Sequence, residues 1–79
     1  MAVVIAFERA SLQKPKIHPT SVVCHWSVLN EPGADPVLQL DTRGSAQREK
    51  PGKQSQTLQL NKTSAAQLFG ILEQEFGLL

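Results

Sequence analysis

The chain has 79 residues, 41% of them hydrophobic, and eight Lys and Arg set against seven Asp and Glu leave a formal net charge of +1. That length holds one core, so residues 1–79 read as a single domain, and a chain so short buries only about 60% of the surface its unfolded form exposes. The near-zero charge excludes a partner recruited by the overall field of the protein. A single cysteine, Cys24, excludes an internal disulfide, and with only His18 and His25 beside it leaves no ligand set for a structural zinc.

Small chains that lack disulfides and metals usually gain stability by self-association, so a homodimer is expected. Ile71, Leu78 and Leu79 point the same way, because they lie beyond the stripe a C-terminal helix needs to cover a sheet.

In chain order, Met1–Phe7 is apolar but far shorter than the about 20 residues a membrane span needs, and it lacks the basic start and small-residue cleavage site of a signal peptide. A first strand with Val3, Ile5 and Phe7 facing the core is expected, in a cytoplasmic protein with no membrane partner. Ser11–Pro19 holds two prolines, which cannot donate to a ladder, and reads as a connector. Thr20–Leu29 alternates, with Val22, Cys24, Trp26 and Val28 on one face and Val23, His25, Ser27 and Leu29 on the other. Residues 30–36, Asn-Glu-Pro-Gly-Ala-Asp-Pro, supply a chain reversal. Val37–Arg43 alternates again, Leu38 and Leu40 inward and Gln39, Asp41 and Arg43 outward.

Gly44–Lys53 reads as a long exposed hairpin loop, and Arg43, Arg48, Lys50, Lys53 and Lys62 against Glu49 alone make this stretch locally basic. Ser55–Asn61 forms the fourth strand, Leu58 and Leu60 inward, Thr57 and Gln59 outward. From Thr63, a suitable N-cap by residue type, the period changes. Ala65, Leu68, Phe69, Leu72 and Phe76 make one helical stripe, and Gly77 suits a left-handed stop. Gly70, mid-helix, suggests close packing against a neighbour.

The expected fold is α+β: a four-stranded antiparallel sheet followed by one helix packed on one sheet face. That face carries Val22, Cys24, Trp26, Leu38, Leu40, Leu58 and Leu60, so Cys24 and Trp26 are core. The other face shows His25, Ser27, Gln39, Asp41, Arg43, Thr57 and Gln59.

No catalytic set emerges. Cys24 and His25 are strand neighbours with side chains on opposite faces, Asp41 has only Arg43 to pair with, and Pro51-Gly52-Lys53 lacks the spacing of a phosphate loop. The chain reads as a binding protein, not an enzyme, with no cofactor and no metal.

Leu40-Asp41-Thr42-Arg43, Lys50-Pro51-Gly52-Lys53, Thr57-Leu58-Gln59-Leu60 and the closing helix resemble the single-stranded-DNA-binding domain of the PC4-like transcriptional coactivator family over Val37 to Phe76. The resemblance implies a four-stranded antiparallel sheet with a dimerising helix, and nucleic-acid contacts from Arg43, Lys50 and Lys53. Gly44-Ser45 stands where that family carries an aromatic. The stretch from Asp41 to Gln56 also resembles small uncharacterised bacterial proteins, which implies a bacterial origin.

Two readings stay open. In one, Arg43, Arg48, Lys50 and Lys53 meet the phosphates of a single-stranded nucleic acid, DNA or RNA, while the polar sheet face with His25 and Gln39 cradles the strand. In the other, the chain is a protein–protein interaction module whose basic loop is merely solvated.

Overall fold

A computed structural model describes residues 1–43 and 54–78. Among them are four strands, β1 (Ala2–Val4), β2 (Cys24–Leu29), β3 (Val37–Arg43) and β4 (Gln54–Leu60), and one helix, α1 (Lys62–Phe76). The α+β class holds, but the sheet is mixed. Its order is β1-β4-β3-β2, with β2–β3 and β3–β4 antiparallel and β1 parallel to β4. The expectation of a wholly antiparallel sheet therefore fails at β1. A strand joined to its neighbour by a turn must run antiparallel to it, whereas β1 meets a strand more than 50 residues away and is free of that constraint.

The ladder confirms the alternation of β2, β3 and β4. Trp26, Leu40 and Leu58 stand in register across the sheet, as do Val28, Leu38 and Leu60, and Ala2 and Val4 extend these two rows. In the first strand it is thus Val4, not Val3, that joins the apolar face. The opposite face carries the rows His25–Asp41–Thr57 and Ser27–Gln39–Gln59.

The helix forms because its ends are capped and its first turn is anchored. Asn61, in extended geometry at φ −84° and ψ 178°, is the N-cap. Its side-chain oxygen accepts the Ser64 backbone N–H at 2.8 Å, and Ser64 Oγ accepts the Asn61 backbone N–H at 3.1 Å. This reciprocal pair satisfies two otherwise orphaned donors. The cap lies two residues before the expected Thr63. The stop falls as expected: Gly77 adopts φ 62°, and its N–H donates to the Glu73 carbonyl at 2.8 Å. Gly70 faces open space rather than a close neighbour, contrary to expectation.

The helix does not roof the sheet. Its one substantial contact with a strand is with β4. Its length is held instead by the chain beyond β1, where Phe7 donates its N–H to Gln67 Oε1 at 2.8 Å and accepts from Gln67 Nε2 at 2.6 Å. Arg9 and Glu75 add an exposed ion pair at 3.4 Å. The radius of gyration is 15.0 Å, against about 11.6 Å for a compact chain of this length. Neither α1 nor any other helix among the described residues is long and apolar enough to cross a membrane.

Candidate functional site

The two faces of the sheet differ in how far they are finished. On the polar face, Thr57 Oγ1 donates to Asp41 Oδ1 at 2.7 Å, and Gln39 Nε2 donates to Asp41 Oδ2 at 3.0 Å. Gln39 in turn accepts from Gln59 Nε2 at 2.9 Å. Register explains the network. Gln39 lies opposite Gln59 and Asp41 opposite Thr57, so two cross-strand pairs are stitched by the two-residue step along β3. Thr57 is buried, and Gln39, Asp41 and Gln59 are half-buried.

The donors on Asp41 hold its carboxyl below the usual carboxylate range. The Thr57 hydroxyl is the chief cause and the Gln39 amide the next; Arg43 and His25 contribute weaker attraction. The centre of this face is therefore a carboxylate whose lone pairs are largely engaged.

The apolar face is open. Trp26 is 71% exposed, Leu58 48% and Val28 47%, and Cys24 is exposed as well. The expectation that Trp26 and Cys24 are core is thus corrected: both stand on the predicted face, but no layer of the described residues covers it. Only where the first turn of α1 stands over the sheet does burial become complete, at Leu60, 3% exposed. Beside that turn lies an apolar groove of about 250 Å³ bordered by Val28, Pro36, Leu38, Leu60 and Ala65.

The residues expected to bind nucleic acid are not gathered into one site. His25 and Gln39 share the polar face in adjacent rows, and Gln39 is committed to Asp41 and Gln59. Arg43 ends β3 beside an irregularity in the ladder, and is exposed. Arg48, Lys50 and Lys53 lie outside the described residues. Among the described residues, no group of three His, Cys, Asp or Glu side chains could hold a metal ion.

Sequence reasoning assigned Asp41 to Arg43 and missed Thr57. The clue was the polar alternation of both strands, which becomes informative only once the register is known. The chain matches no protein-family model, no curated protein and no solved structure.

Proposed function

We propose that the chain is a non-catalytic binding module of the cytoplasm, a homodimer that docks a protein partner on the apolar face of its sheet. The observation that carries this reading is the uncharged row of Trp26, Leu40 and Leu58, with Trp26 71% exposed and Leu58 48% exposed. A sheet face of this kind calls for a second layer, and the one substantial strand contact of α1 is with β4. The partner is therefore one that offers the apolar stripe of an amphipathic helix. Aromatic anchors such as Trp26 dominate the energetics of such contacts.

Single-stranded nucleic acid is the second reading, favoured by the same exposed indole, since bases stack on aromatic side chains at about 1–3 kcal/mol each. The polar face counts against it as the cradle first expected, because Gln39, Asp41 and Thr57 are bonded to one another.

Retardation of a labelled single-stranded oligonucleotide, read together with Trp26 emission, separates the two. Protein docking predicts no retardation at low salt and unchanged emission. Salt-dependent retardation with quenched Trp26 would install the nucleic-acid reading, and loss of binding in an Arg48→Ala, Lys50→Ala, Lys53→Ala variant would then place the contacts on the basic loop.

A further inference from the structure

The two edges of the sheet are protected unequally. β1 is three residues long, and a very short strand is one of the ways proteins blunt an edge. β2 has six residues, every one exposed, and no strand of the described residues pairs with its outer side. Its sequence, Cys-His-Trp-Ser-Val-Leu, contains no proline, lysine, arginine or carboxylate, and its ladder with β3 runs without a shift over all six pairs. Among the described residues, none of the usual devices against strand addition is present at this edge.

We propose that the outer edge of β2 pairs antiparallel with β2 of a second copy, joining two four-stranded sheets into one of eight strands. This inference rests on the homodimer reading above and names its seam. Three observations favour a second copy over a foreign strand.

The first is charge. β2 carries no fixed charge, so pairing it with itself sets no like charges opposite one another, and a charged partner would gain nothing there.

The second is the pattern of faces. Directly opposed residues of an antiparallel pair share a face, and a one-residue slip exchanges the faces. Two registers keep the Trp26 face continuous and set polar residues opposite one another at its centre: where Trp26 meets Trp26, Ser27 meets His25, and where Trp26 meets Val28, Ser27 meets Ser27. The strand is thus complementary to itself about a two-fold axis.

The third is surface. On β2 itself Trp26 is 71% exposed and Val28 47%, apolar area that a second copy of the same strand, laid alongside, would partly remove from water. The joined sheet would present both open apolar faces as one platform, with the Trp26 side chains near its seam.

The test uses the full chain and changes Ser27, an exposed residue of the edge strand on the face opposite Trp26. Light scattering at micromolar concentration should give twice the chain mass for the wild type. Ser27→Lys and Ser27→Glu should each give the single-chain mass with unaltered circular dichroism, because like charges then face each other near the axis. An equimolar mixture of the two should recover the double mass. Leu58→Gln, on the apolar face away from the edge, should keep it.

A wild type of single-chain mass overturns the seam while leaving the docking face open to a foreign protein. A double mass that survives both Ser27 changes but is lost in Leu58→Gln overturns it in favour of face-to-face pairing. Hydrogen exchange gives an independent check: alternate β2 amides should be protected in the wild type and fast in Ser27→Lys, and equal protection in both contradicts the proposal.

Discussion

The polar and apolar faces of the same sheet are built from the same strands, residue by residue, yet one is closed and the other is not. Side chains with donors and acceptors can satisfy one another within a single layer, as Gln59, Gln39, Asp41 and Thr57 do at 2.7–3.0 Å. Apolar side chains cannot. A row such as Trp26, Leu40 and Leu58 gains only when another layer excludes water from it. The contrast locates the unfinished business of this molecule on one face, and it shows why a polar sheet surface is weak testimony for a ligand: here its groups are already spent on each other.

The comparison breaks most readily at the one place where the apolar face is covered. Leu60→Ala should cost about 2–5 kcal/mol in urea unfolding, since Leu60 is the apolar side chain that the described residues bury. For a small domain that is a large share of all its stability. A loss below about 0.5 kcal/mol, the scale of an exposed substitution, would mean that the first turn of α1 does not seal this corner. Replacing the N-cap, Asn61→Ala, should cost about 1 kcal/mol by releasing the Ser64 backbone donor.

Gly70→Ala has the opposite sign. A methyl group there meets open space, so helix propensity acts alone and the variant should gain about 1 kcal/mol. A destabilised variant would reveal a surface packed closely on that side of the helix.

On the polar face, Thr57→Val should cost about 1 kcal/mol, the typical net worth of one hydrogen bond. The pH dependence follows from Asp41. Its carboxyl titrates below its ordinary value of 3.8 in the folded chain, so its contribution is present above that value and is lost as pH falls through the lower, folded one. Denaturation midpoints should therefore fall between about pH 4 and the folded titration point below it, and Asp41→Asn should flatten that part of the profile. An unchanged profile would remove Asp41 from the network's stabilising role.

Much of this architecture was legible before the structure. The alternation in β2, β3 and β4 fixes which residues share a face, because side chains on a strand alternate strictly, and Gly77 marks the helix end for a steric reason that sequence exposes. What escaped was non-local. The parallel β1–β4 pair joins segments with no turn between them, and no local pattern announces it. Trp26 was placed on the right face and given the wrong burial, since alternation names a face without saying whether a layer covers it. Asn61 was counted as the last strand residue, so its spacing to Ser64 went unread as a cap. For the candidate site, the sequence supplied the polar row but not its register, and so left Thr57 out of the partners of Asp41.

The central claim is that the chain's own segments leave the apolar face open. Trp26 is the only tryptophan, so its emission reports that face alone. In the Ser27→Lys chain, diluted until it has single-chain mass, the account predicts long-wavelength emission that is freely quenched by acrylamide. Short-wavelength emission resistant to the quencher in that same monomer would contradict it, because the chain would then be covering its own face.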